Sequence, residues 1–210
     1  AAMGQISAGL ARQVSRDQAH QDQVDQAIAR ISAVDSLKGV GSADLVIEAA
    51  SEDEATKKAI FADLTPYLAA HTLLASNTSS ISITRLAASS DRPERFIGLH
   101  FMKPATAMKL IEIVRGIATS AETYDAALAF AGSLGKTTTQ AEDFPAFIVN
   151  RVLAPMMNEA IFALYEGVGD VANIDTALKL GANHPMGPLE LADFMGLDVV
   201  LAIMNVLHDG

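Results

Sequence analysis

Apolar and polar positions come in blocks along the 210 residues, and their period changes from block to block. Residues 7–31 are mostly good helix formers with many polar groups, which predicts one helix with an exposed face. Residues 45–50 form a short apolar run with β-branched side chains, as a buried parallel strand carries. Helical spacing returns over 52–68, with Ala59, Ile60, Leu64 and Leu68 on one side and Pro66 late in the segment. A second buried strand is predicted at 73–77, and Thr78, Ser79 and Ser80 are candidate N-caps for a short helix through Leu86. Strands at 96–101 and 108–114 follow, then a helix over 121–134 closed by Gly135 as its C′ residue. Strands alternating with helices predict an α/β fold with a mostly parallel sheet covered on both sides.

The pattern changes at Asp143-Phe-Pro. From Phe147 onward almost every segment reads as helix: 147–166, 171–180 and 188–207. Two domains are therefore expected, an α/β unit over 1–143 and an all-α unit over 144–210. The helix from Phe147 carries Ile148, Val152, Met156, Ala160, Ala163 and Leu164 along one face, a stripe that serves as core and as a surface for pairing two copies.

Composition narrows the function classes. Fifteen Lys and Arg against 25 Asp and Glu give a formal charge of −10, and there is no Cys. That excludes thiol catalysis, disulfide scaffolds, and Cys-ligated zinc or iron–sulfur centres; no metal site is expected. No uncharged apolar run reaches the roughly 18 residues of a membrane span, and the first residues lack a signal-peptide pattern. A sequence pI near 4.8 argues against general nucleic-acid binding. The expectation is a cytoplasmic protein with neither membrane nor nucleic acid as partner.

Five histidines are candidates for chemistry. His20, His71 and His208 read as surface residues, and His184, in Gly-Ala-Asn-His-Pro-Met-Gly, as part of a tight turn. His100 ends a strand, where α/β sheets place their sites. If that strand pairs antiparallel with the next, the connection centres near residue 106 and His100 faces Glu112. A carboxylate there fixes the imidazole tautomer and supports its protonated form, as a general acid or base requires. By itself such a pair is structural more often than catalytic. Residues 77–80 end a strand and open a helix, so their N–H groups and hydroxyls suit an anionic or polar ligand or a plain helix cap. Asn150 lies in the first turn of the helical unit, where an Asn often bonds across an interface. Glu52 and Lys57 flank a helix start and alone read as surface charge. Gly39-Val-Gly41 precedes a strand instead of following one, so it is a turn and not a dinucleotide fingerprint.

Taken together, six segments resemble the L-3-hydroxyacyl-CoA dehydrogenase family, most closely its bacterial 3-hydroxybutyryl-CoA branch. They are Asp44-Leu-Val-Ile-Glu-Ala-Ala, Ser76-Asn-Thr-Ser-Ser-Ile-Ser-Ile-Thr, Arg95-Phe-Ile-Gly-Leu-His-Phe, Met108-Lys-Leu-Ile-Glu-Ile-Val, Asp143-Phe-Pro-Ala-Phe-Ile-Val-Asn-Arg and Leu180-Gly-Ala-Asn-His-Pro-Met-Gly-Pro. They occur in the family's order and span essentially the whole chain. The resemblance implies a Rossmann-like, incomplete, mostly parallel sheet that binds NAD, with NADP as the alternative, followed by an all-α substrate-binding and dimerisation domain. It implies interconversion of short 3-hydroxyacyl-CoA and 3-oxoacyl-CoA substrates. His100 would be the acid/base, Glu112 its orienting carboxylate, and Ser79 and Asn150 the groups that hold the substrate's oxygens. Glu52, Lys57, Asn77 and Ser79 would line the nicotinamide–ribose side of the cofactor cleft. Lys103 stands there where the family usually has Asn, and a flexible cation does not duplicate an amide's paired donor and acceptor. The family's first strand, glycine-rich turn, helix and second strand, and its closing C-terminal segment, are expected to lie outside these residues.

Two other readings remain open at this point. One is a related dehydrogenase of free hydroxy acids or sugar acids. The other is a non-catalytic chain that keeps the helical pairing surface.

Overall fold

Each apolar run in the first 143 residues becomes a strand of one sheet in the computed structural model, which describes residues 2–17 and 19–210. The strands are β1 (Leu45–Glu48), β2 (Leu73–Ser76), β3 (Phe96–Phe101), β4 (Leu110–Arg115) and β5 (Thr137–Glu142), and they lie in the sheet in chain order. β1, β2 and β3 are parallel; β4 runs antiparallel to β3, and β5 is parallel to β4. The carboxyl ends of β1–β3 therefore open on the same side as the start of β4.

Alternation along the strands sends side chains to two covered faces. On one face Leu74, Phe96 and Val114 pack against Phe61 and Leu64 of α3 (Glu54–Leu64) and Ile83 and Leu86 of α4 (Ile83–Ala87). The Phe61 and Phe96 rings meet edge to face at 4.7 Å. On the other, Ala75, Ile97, Leu99, Ile111 and Ile113 meet Ala127 and Ala131 of α5 (Ala121–Ser133). Gly98 sets how closely α4 approaches: a Cβ there would stand 2.8 Å from both Ile83 Cδ1 and Val114 Cβ.

Three elements depart from the sequence expectation. The helix expected over 7–31 is two helices, α1 (Ala2–Ser15) and α2 (Gln21–Ala29). Asp17 adopts a left-handed φ of 58°, and the backbone N–H of His20 donates to Gln23, which begins the second helix afresh. β5 went unread because its Thr-rich sequence faces outward along much of its length, so no apolar run announces it. The helix expected over 188–207 breaks at Gly196, whose φ of 96° no helix accommodates. The result is α8 (Pro188–Met195) and α9 (Leu197–Asp209), bent by 99°. Among the described residues no single helix is long and apolar enough to cross a membrane.

α6 (Val149–Tyr165) and α7 (Val171–Gly181) complete the helical part. Its core joins Ala154, Met157, Ala192, Val200 and Ile203. The stripe expected on α6 only partly matches: Ala160 is buried, whereas Ile148 and Val152 are 43% and 63% exposed. The face that packs inward is centred on Ala154 and Met157.

Candidate functional site

His100 and Glu112 are register partners across β3 and β4, as symmetry about residue 106 predicts. The imidazole Nδ1 lies 2.7 Å from Glu112 Oε2, with the carboxylate side chain fully buried and the imidazole nearly so. The other oxygen, Oε1, accepts from the backbone N–H groups of Ile148 and Val149, each at 3.0 Å. Those donors stand at the start of α6 because Ala146 and Phe147 both adopt left-handed φ, at 62° and 54°. This uncommon backbone corner turns the chain from the sheet into the helix. Burial pushes the Glu112 carboxyl upward, but the hydrogen bond from His100 and the two N–H donors outweigh it and hold it below the ordinary range. Phe147 also packs its ring against His100, centroids 5.8 Å apart. With Nδ1 committed to Glu112, Nε2 is the imidazole nitrogen left for chemistry.

The 78–81 turn follows the carboxyl end of β2 and is joined to the helical unit through Asn150. Thr78, Ser79 and Ser80 do not cap α4 as expected; Ser82 does, helped by Asp143, whose oxygens accept from Ser82 Oγ and the N–H groups of Ile83 and Thr84. Nor are the turn's N–H groups free for an anion. Glu52 Oε1 accepts from Thr78 Oγ1 at 2.6 Å, Ser79 N at 2.8 Å, Ser79 Oγ at 3.1 Å, and Ser80 N and Oγ at 3.2 Å. Glu52 is raised by burial, yet these donors and the Lys57 ammonium together hold its carboxyl below the ordinary range. An acid already fills the position that the strand end and turn offered to a ligand.

Lys57 is not surface charge. Its side chain is 1% exposed, with Nζ 2.8 and 3.0 Å from the two oxygens of Glu48 and 3.6 Å from Glu52 Oε2. Asn77 follows β2 directly, and its Oδ1 accepts from the Phe101 N–H at 2.9 Å, tying it to the strand end that carries His100. Asn150 Nδ2 reaches the Ser79 carbonyl at 3.5 Å, so the helical unit touches the turn directly. Lys103 is exposed on the loop between β3 and β4. His71, paired with Asp44, and His208 are exposed and lie apart from this group.

A continuous circuit of contacts thus runs from Ser79 through Asn150, the start of α6, Glu112, His100 and Phe101 to Asn77. Four groups within or beside it were invisible to sequence reading: Glu48, Asp143 as a cap, the paired N–H groups of 148 and 149, and Phe147 against the imidazole. Of these only Glu48 left a signal, an acid closing an otherwise apolar strand. Among the described residues no cluster of His, Cys, Asp and Glu could hold a metal ion.

Comparison with known proteins bears on this geometry. The family model for the 3-hydroxyacyl-CoA dehydrogenase NAD binding domain matches residues 1–144, and that for the C-terminal domain of the same enzymes matches 147–210. The 3-hydroxybutyryl-CoA dehydrogenase of Bradyrhizobium diazoefficiens is 56% identical over 208 residues, covering 99% of this chain and 71% of that protein. The crystal structure of (S)-3-hydroxybutyryl-CoA dehydrogenase from Ralstonia eutropha superposes with a TM-score of 0.94 at 42% identity, over 96% of this chain and 71% of that one. The Escherichia coli 3-hydroxybutyryl-CoA dehydrogenase structure gives 0.95 at 44% identity, over 99% of this chain and 44% of that one.

Proposed function

The chain belongs to the 3-hydroxyacyl-CoA dehydrogenase family, and we propose that its cleft interconverts (S)-3-hydroxyacyl-CoA and 3-oxoacyl-CoA with NAD, on short acyl chains such as 3-hydroxybutyryl- and acetoacetyl-CoA. The observation that carries this reading is the buried His100–Glu112 pair at 2.7 Å, linked through the start of α6 and Asn150 to the 78–80 turn. Bound NAD supplies the acceptor for the hydride that leaves C3. His100 Nε2 takes the proton from the 3-hydroxyl in oxidation and returns it in reduction. Glu112 keeps the Nδ1 proton in place, so the lone pair stays on Nε2, and its charge supports the imidazolium that results. Ser79 Oγ donates to Glu52 in the free protein; with substrate bound it turns to donate to the 3-oxygen in both directions, since that oxygen's one proton is exchanged with His100. The Asn150 amide holds the substrate from the helical side.

The donor set fits the nicotinamide–ribose part of NAD. Glu52 Oε2, the Asn77 amide and Lys103 would meet the ribose, whereas Lys57 acts from behind Glu52, since its ammonium is enclosed. Among the described residues no glycine-rich strand–helix turn stands at these strand ends, so none is assigned to the pyrophosphate. In this reading residues 1–143 form the cofactor unit and 144–210 the unit that binds the acyl-CoA and pairs two copies. A homodimer surface on the helical unit is supported by its exposed apolar side chains, among them Val152, Tyr165 and Leu180, the last two more than 80% exposed. A cytoplasmic location is supported by the reaction's need for NAD and CoA thioesters, both of which the cytoplasm holds.

The test is NADH-dependent reduction of acetoacetyl-CoA, followed by loss of NADH absorbance. The wild-type chain should turn over and His100→Ala should lose nearly all of that rate. A wild-type chain that consumes no NADH, or one that prefers the free acid to the thioester, overturns the proposal.

A further inference from the structure

Behind the site turn lies a buried ion pair, Lys57 with Glu48, and Glu48 has no part in the chemistry above. The Glu48 and Lys57 side chains are 3% and 1% exposed. Taking two ions out of water costs several kcal/mol each, and an apolar pair of similar volume is often as stable or more so. Glu48 closes β1 and points both of its oxygens at work. Oε1 holds the Ala50 N–H and the Lys57 ammonium; Oε2 accepts from Ser76 Oγ at 2.7 Å and lies 3.0 Å from Lys57 Nζ.

Two arms lead from Glu48 to one place. Through Ser76, whose Oγ accepts from Thr78 N at 3.3 Å, it reaches the start of the turn. Through Lys57 it reaches Glu52, which gathers the hydroxyls and N–H groups of residues 78–80 on a single oxygen. The distances set how the load is shared. Lys57 sits close to Glu48, at 2.8 and 3.0 Å, and farther from Glu52, at 3.6 Å. Glu48 thus takes the strong end of the ammonium's attraction, and Glu52 is free to turn Oε1 outward to the turn. Without the Glu48 charge, Lys57 has a single carboxylate partner left and draws Glu52 inward, off the Ser79 hydroxyl.

We propose that Glu48 is a positioning residue for the reaction: by holding Lys57 back it keeps Glu52 on the 78–80 turn and so fixes the Ser79 hydroxyl in the cleft. The inference rests on the reading of Ser79 as the group that meets the substrate oxygen. By analogy, groups that orient the ligands of a metal site typically matter by about 10–100-fold, and the same scale is taken for a group that orients a substrate contact.

The experiment compares wild type, Glu48→Gln, Ser79→Ala and the double variant in the acetoacetyl-CoA assay, with amide hydrogen exchange read by NMR in the same proteins. The expected result is a kcat for E48Q lower by about tenfold or more, with a smaller change in KM. The same change added to S79A should lower the rate less than about twofold, because its target is already gone. Exchange of the Ser79 and Ser80 amides should quicken at least tenfold in E48Q, while the β3 and β4 amides stay protected. Penalties that multiply in full in the double variant, or unaltered exchange at 79 and 80, overturn the proposal. If E48Q does not fold, Glu48→Leu with Lys57→Met removes both buried charges together; no ammonium then remains to draw Glu52 inward, so the two serine amides must stay protected, and their loosening overturns the proposal. A wild-type chain inactive on acetoacetyl-CoA would defeat the functional reading alone, because the exchange measurement still decides whether Glu48 holds the turn.

Discussion

Replacing Glu112 by Gln alters one atom of a buried side chain, and its consequence follows from counting donors. In the native site Oε1 faces two N–H groups, from Ile148 and Val149, and Oε2 faces His100 Nδ1. A Gln carboxamide has one oxygen and one NH2. Placing the NH2 against two backbone donors would leave both unpaired in the interior, whereas placing it against His100 disturbs one contact. Each buried unsatisfied group costs about 1–3 kcal/mol, so the oxygen goes to the helix start and the NH2 goes to the imidazole. Nδ1 must then accept, which drives the ring proton onto Nε2. The nitrogen that should take the substrate proton now carries one, and no carboxylate remains to support the imidazolium. The corresponding Asp-to-Asn change in a serine-protease triad lowers kcat about 10⁴-fold through the same tautomer error.

For Glu112→Gln we therefore expect kcat for NAD-linked oxidation of (S)-3-hydroxybutyryl-CoA to fall by about 10³–10⁴-fold with the fold intact by circular dichroism. Stability should change its acid dependence as well. The native Glu112 carboxyl is held below its ordinary 4.5, so its contribution is present above that value and is lost as pH falls through the lower folded value. The variant lacks that loss, and its stability should fall less between pH 5 and pH 3. Retention of kcat within about tenfold of wild type, with an unaltered pH–rate profile, would refute the reasoning.

Three further substitutions probe the framework. Gly98→Ala places a methyl 2.8 Å from Ile83 Cδ1 and Val114 Cβ, and overpacking of this kind costs about 1–3 kcal/mol; a urea midpoint equal to wild type would count against it. Asp143→Ala strands the Ser82 hydroxyl and two N–H groups at the start of α4 and should cost about 1–3 kcal/mol, read from the same titrations. Gly196→Ala forces a side chain into a φ of 96°, for about 1–3 kcal/mol; a variant whose thermal midpoint matches wild type would mean that the α8–α9 bend does not depend on this glycine.

Local signals marked most of the sheet. Leu45–Glu48, Leu73–Ser76 and Phe96–Phe101 are apolar and bounded by turn residues, and all three became strands near their expected limits. The His100–Glu112 pairing was legible for a simple reason: a hairpin fixes register by symmetry about its turn, and alternation keeps both side chains on one face. The outward-facing threonines of β5 carried no such pattern, and the α8–α9 bend hung on one glycine whose φ only the fold reveals.

The chain alone therefore determined the alternation of strands and helices, the change to an all-helical part after Asp143, and the imidazole–carboxylate pair, because each depends on neighbours in sequence or on one short connection. Tertiary structure decided which charges are buried. Lys57 lies nine residues from Glu48 and Glu52 lies 27 from Ser79, and no local period tells a solvated acid from one that gathers a turn's donors. That outcome is set when β1, α3 and β2 close on one another and enclose Glu48 and Lys57, so that their polar atoms must find partners inside the protein, while Glu52 at the rim keeps part of its side chain in water.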